Sequence, residues 1–143
     1  MLFRSRVYHL GDVFFGTVTW AASLCEELNG HIYLVRGNHD TIAEHKSVAP
    51  RFEWIKDYAR VKIGDQKIYL CHYAFRTWNC MHHGSWNLHG HSHGSLEEYP
   101  DKKQLDVGVD CWGLAPVSFE QIKERMDAKQ PFVPVDHHGR EDE

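Results

Sequence analysis

Two short polar strings, Gly37-Asn38-His39-Asp40 and Gly90-His91-Ser92-His93, each stand directly behind a short apolar run. Gly11-Asp12 and Cys71-His72 close two further runs. Short apolar runs bounded by turn residues read as buried strands. A chain punctuated in this way can gather an aspartate, an asparagine and three histidines along the carboxyl ends of its strands, where open α/β sheets hold their ligands. The donors are oxygen and imidazole. That mixture suits Mn, Fe, Zn or Mg-like divalent ions rather than a thiolate centre.

The segments between the strings alternate in character. Residues 6–10 predict a short strand. Residues 17–28 predict a helix with Trp20, Leu24 and Leu28 on a core-facing stripe, stopped by Asn29-Gly30. Residues 32–35 predict a second strand, parallel to the first through a right-handed crossover. Residues 60–63 and 67–71 flank Gly64-Asp65-Gln66 as a hairpin. Residues 86–89 form another candidate strand, and Leu105, Val107 and Val109 alternate like a strand with one buried face. Ser118 with Gln121 makes a capping box for a helix from residue 119 to about residue 129. Residues 1–135 read as one domain and 136–143 as a polar, frayed tail.

Composition narrows the function classes. Hydrophobic residues make up 42% and charged residues 25% of the 143, the balance of an ordinary globular domain. The histidine content is unusual: six of the twelve fall between His72 and His93, and imidazole is the commonest protein metal ligand. A net charge of −4 lacks the basic face that a broad nucleic-acid surface requires. Cys25, Cys71, Cys80 and Cys111 form no C-x-x-C pair, so they read as reduced, mostly buried thiols in a reducing compartment. No apolar run has membrane-spanning length, and a cytoplasmic location without membrane contact is expected.

Gly11-Asp12, Gly37-Asn38-His39-Asp40, His72 and Gly90-His91-Ser92-His93 together, in this order, resemble the calcineurin-like metallophosphoesterase superfamily. Tyr8-His9-Leu10-Gly11-Asp12, Arg36 and the run 70–94 are similar in wording to a small phage and bacterial branch of it. The resemblance implies an α/β fold (α+β by some schemes), a β-sandwich flanked by helices in αββα layers. It also implies two divalent metal ions, Mn favoured over Fe, Zn or Ni, that hydrolyse a phosphoester. The substrate would be a phosphomonoester or a small phosphodiester. Asp12 would bridge the ions, Asn38, His72 and His91 would complete one shell, and His93 would ligate the other ion. His39 would be the general acid or oxyanion stabiliser beside the leaving oxygen, with Asp40 orienting it. A neutral asparagine limits the negative charge, so such a site still accepts an anionic phosphoester.

The family pattern opens with an Asp-x-His string on a strand before Gly-Asp. Residues 1–10 hold no Asp or Glu, so the N-terminal strand reads as missing and the second ion keeps Asp12 and His93 alone. Two protein ligands are fewer than a firm catalytic site offers, and that second site is expected to be weak. His9 is a poor substitute, because its odd spacing from Asp12 directs it to the opposite strand face. Two other functions fit the same residues. One is a catalytically impaired metal-binding remnant or regulatory module of the same fold; the other is an unrelated histidine-rich metal-binding protein or nuclease. Arg76 and Trp78, in the loop behind His72, are candidate contacts to a substrate's phosphate and its base or sugar face.

Overall fold

β1 (Arg6–His9) and β2 (His31–Val35) pair in parallel, with Tyr8 opposite Tyr33, in a computed structural model that describes residues 5–137. The crossover between them is α1 (Val18–Glu27), started by Thr17, whose hydroxyl accepts the Trp20 amide at 3.2 Å. Strand alternation then sorts the side chains. Val7, Ile32 and Leu34 pack with α1, while Tyr8 and Val35 face the other way, against a second sheet.

β3 (Phe52–Lys56) adds a third parallel strand that the sequence pattern does not announce. The register shifts where Ile32 pairs with Phe52 and Tyr33 with Trp54, so Glu53 is skipped. That bulge puts both Phe52 and Ile55 against the α1 side and breaks the period of two by which a strand is read. The second sheet runs β4 (Tyr58–Ile63), β5 (Gln66–Cys71), β6 (Trp86–His89) and β7 (Gln104–Asp106), antiparallel in the first pair and parallel in the other two. α2 (Phe119–Asp127) carries the expected capping box and buries Ile122 and Met126 against this sheet, Phe119 stacking on Trp86 at 5.3 Å. Helix, sheet, sheet and helix follow one another, as the αββα expectation requires.

Three local readings need correction. Trp20 is 45% exposed; α1 turns Ala21 and Cys25 inward, flanked by Val18, Leu24 and Leu28. Small Ala and Cys side chains let the helix lie close to β2, so the bulky indole is left outside. The strand expected to reach Val109 ends at Asp106, because the Asp106 carboxylate accepts the Gly108 amide at 2.9 Å and turns the chain away. The four cysteines are free, but only Cys25 is buried and Cys111 is exposed. No helix among the described residues is long and apolar enough to cross a membrane. The tail beyond residue 137 lies outside the described residues.

Candidate metal centre

Asp12 follows β1, Asn38 follows β2, His72 follows β5 and His91 follows β6, so each sheet sends two loops toward one place. Their close approach depends on glycine. Gly11 has φ +100°, and a Cβ there would fall 2.5 Å from His72 Nδ1 and 2.6 Å from Gly37 N. Asp12, His91 and His93 themselves hold φ of 59°, 60° and 50°. Such left-handed backbone costs about 1–3 kcal/mol per non-glycine residue and persists only where its surroundings impose it.

For Asp12, the surroundings are Asp40. Asp40 is 1% exposed and was expected to orient His39. Instead its Oδ2 accepts the amides of Asp12 (2.7 Å) and Gly37 (2.8 Å), and its Oδ1 those of Val13 (2.7 Å) and Phe14 (3.1 Å). A buried carboxylate met by four N–H dipoles is well satisfied and leaves nothing for an imidazole. Asp40 therefore clamps the Gly-Asp loop to the Gly-Asn-His-Asp loop. His39 instead donates its backbone N–H to Asp12 Oδ1 at 3.0 Å and rests its exposed ring against Phe15, 4.9 Å between centroids.

His72 lies at the middle of the group and is 2% exposed. Its Nδ1–H donates to the Leu10 carbonyl at 2.6 Å, which assigns the tautomer and leaves Nε2 as a lone pair. Around Nε2 stand Asn38 Oδ1 at 3.0 Å, His91 Nδ1 at 3.1 Å and Asp12 Oδ2 at 3.3 Å, and Asn38 Oδ1 is 3.1 Å from His91 Nδ1. A proton on His91 can serve one of these contacts. With Asn38 Oδ1 turned inward, the rest are acceptors facing acceptors, an arrangement that a cation among them would relieve at the buried His72 and, on the exposed side, at Asn38 and His91. Asp12, His72 and His91 each offer a ligand atom within 4.8 Å of the others and could hold a metal ion. Two oxygens and two imidazole nitrogens fit a hard or borderline divalent ion.

The other expected residues are placed differently. His93 stands outside this group, its side chain 75% exposed and its Nδ1 paired with Asp110 Oδ2. The Asp110 carboxylate holds the imidazole above its usual pKa, and His93 in turn holds Asp110 below the usual carboxylate range. Arg76 and His93 share the wall of a cavity of about 690 Å³. Trp78 donates its indole N–H to the Ser85 carbonyl at 3.1 Å and so pins its own loop. His9 accepts the Gly11 amide at 3.2 Å, and burial pushes its imidazole below the usual value despite the Asp40 and Asp12 carboxylates.

A family model for the calcineurin-like phosphoesterase superfamily domain matches residues 3–108. The chain belongs to this superfamily. It is similar to an uncharacterized protein of Methanocaldococcus jannaschii, 32% identical over 126 residues, which covers 83% of this chain and 64% of the relative. It is also similar to the gene 66 protein of Mycobacterium phage L5, 26% identical over 137 residues, covering 75% of this chain and 66% of that protein. The chain thus spans slightly less than two thirds of either relative. A crystal structure of a protein of unknown function from Aquifex aeolicus shares the fold at a TM-score of 0.58 and 21% identity, over 83% of this chain and 75% of that one.

Within this phosphoesterase fold, two features of the site escape the sequence motifs. Tyr73 sets its ring 5.1 Å from His72 and 4.6 Å from His91, half exposed at the mouth of the centre. An aromatic residue directly behind a histidine is too common a pair to have pointed there. Asp106 and Asp110 buttress the second histidine string. The signal was present in the Asp-x-Gly turn at 106–108, which the apolar alternation of Leu105, Val107 and Val109 masked.

Proposed function

We propose that this chain performs metal-dependent hydrolysis of a phosphoester, a phosphomonoester or small phosphodiester, with Asp12, Asn38, His72 and His91 around one ion and His93 with Asp12 serving a second. The observation that carries the reading is the ring of acceptor atoms around the His72 Nε2 lone pair. Divalent ions, Mn²⁺ favoured, would supply charge neutralisation at the phosphoryl group and activation of water. The chain does the rest. The His72 Nδ1–Leu10 hydrogen bond and the Asp40 clamp hold the donors in place before substrate arrives. Asn38 adds a donor without adding charge, so an anionic phosphoester is not repelled. His39, whose backbone N–H meets Asp12 and whose ring is exposed, would give a proton to the leaving oxygen. Arg76, on the cavity wall it shares with His93, would meet a phosphate oxygen.

The test is hydrolysis of a chromogenic phosphodiester and of a phosphomonoester by chelator-treated protein with Mn²⁺ restored. Turnover that needs the metal and is lost in His72→Ala supports the reading. Metal binding at this centre without turnover on either substrate would favour the second reading, a metal-binding module with impaired catalysis. The match to the calcineurin-like phosphoesterase domain over residues 3–108 favours that reading over an unrelated metal-binding protein.

A further inference from the structure

Residues 106–112 fold back beneath the Gly-His-Ser-His turn. Asp106 Oδ2 accepts the Gly94 amide at 3.0 Å while its Oδ1 takes the Gly108 amide. Trp112 Nε1–H donates to the Asp106 carbonyl at 2.9 Å, and the Cys111 amide to the Gly108 carbonyl at 2.9 Å. The Val107 amide continues the ladder to the His89 carbonyl at 2.8 Å. The loop is therefore tied both to β6, which carries the histidines, and to the turn that displays them. Asp110, in the short turn Val109–Cys111, meets His93 Nδ1 from behind.

We infer that Asp110 is a positioning residue for His93, accepting its Nδ1–H so that Nε2 is presented as the free donor to a divalent ion. The inference rests on the two-ion reading proposed above. A carboxylate behind a ligating histidine fixes ring orientation and tautomer and makes the other nitrogen a stronger donor. Direct ligation by Asp110 is the rival arrangement, and the geometry disfavours it. Both Asp106 oxygens are engaged by amides. Asp110 addresses the nitrogen that His93 would not use for metal.

Calorimetric titration of the metal-free full chain with Mn²⁺ tests this, using wild type, Asp110→Asn, Asp110→Ala and His93→Ala. Wild type should show a strong and a weak step, and His93→Ala should lack the weak one. Asp110→Ala should weaken that step by about 10–100-fold and leave the strong step at wild-type strength. Asp110→Asn, which keeps an oxygen acceptor, should fall between Asp110→Ala and wild type. The unfolding midpoint of the metal-free protein should not move, since Asp110 lies in an exposed turn. Two ions in wild type with an unchanged weak step in both Asp110 variants would overturn the inference alone. Loss of the weak step in Asp110→Asn as complete as in His93→Ala would make Asp110 a ligand and overturn the positioning role. A single ion in wild type would overturn the two-ion reading and the inference with it.

Discussion

The two halves of the histidine-rich site are built by different physics. Asp12, Asn38, His72 and His91 come from four loops of two sheets; His72 is buried and Asp12 only 15% exposed at its side chain, while Asn38 and His91 close the group on its exposed side. Their positions are imposed by backbone: the Asp40 clamp, the Leu10 carbonyl and a glycine contact between loops. His93 and Asp110 belong to two surface turns, with side chains 75% and 38% exposed, and hold each other in solvent. The first group exists before any ligand arrives, at a cost in strained backbone and in lone pairs brought together. The second shares the strained backbone at His93 but brings no lone pairs together, and its exposed side chains carry little preorganisation. On the two-ion reading proposed above, a strong ion site beside a weak one is what that contrast predicts, independently of how many ligands each has.

The largest expected effect separates chemistry from assembly. His39→Ala should lower turnover by about 10²–10⁴-fold while calorimetry shows the strong ion bound as in wild type, because only the His39 backbone touches Asp12. Loss of the ion instead would mean that His39 belongs to the assembled group. Next comes the clamp. Asp40→Asn removes the charge and turns an amide donor toward backbone donors, leaving buried N–H groups unpaired. It should cost about 3 kcal/mol in denaturant unfolding, given about 1.5–3 kcal/mol per hydrogen bond to a charged group. A loss below about 1 kcal/mol would show that the loops hold together without it.

The second region should yield smaller changes. Gly94→Ala places a Cβ 3.2 Å from Cys111 Sγ at φ +75°, which should destabilise by about 1–2 kcal/mol and weaken Mn²⁺ binding only at the His93 ion. Wild-type affinity at that ion would uncouple the buttress from the histidine.

The two regions should also answer pH in opposite senses. His9 is held below its usual value of 6.5 in the folded chain, so the unfolded chain takes up more protons as pH falls below 6.5, and stability falls with it. Thermal unfolding of wild type and His9→Asn between pH 5 and 8 isolates this slope, which should vanish in the variant. His93 is held above its usual value, so its small contribution is present below pH 6.5 and lost as pH rises through the folded value. Smallest of all, His93→Ala should leave the denaturant midpoint close to that of wild type, since exposed ion pairs contribute little. A clear drop in the midpoint would mean that the second region is preorganised after all.

Most of the fold was legible because its strands are short apolar runs closed by glycine and a polar ligand, as at 6–12 and 86–91. β3 was not, because a bulge at Glu53 erases the alternation on which strand reading depends. In the site, the four converging donors follow from which strand each one ends, so a motif in sequence becomes a cluster in space. Asp40 shows the limit of that logic. A carboxylate one position after a histidine suggests a partner for the imidazole, yet burial beneath four backbone amides assigns it to the loops instead. Asp110 was invisible for the converse reason. It is distant in sequence from His93 and meets it only because Asp106 turns the chain out of the sheet.

The central claim is that the acceptor ring around His72 Nε2 holds a divalent ion. Crystals of the chain soaked in Mn²⁺, with anomalous diffraction recorded at the manganese edge, test it most directly. A peak is expected within coordinating distance of Asp12 Oδ2, Asn38 Oδ1, His72 Nε2 and His91 Nδ1, retained in His93→Ala and absent in His72→Ala. An ordered centre with no peak among those four atoms, or a peak that survives His72→Ala, would contradict it.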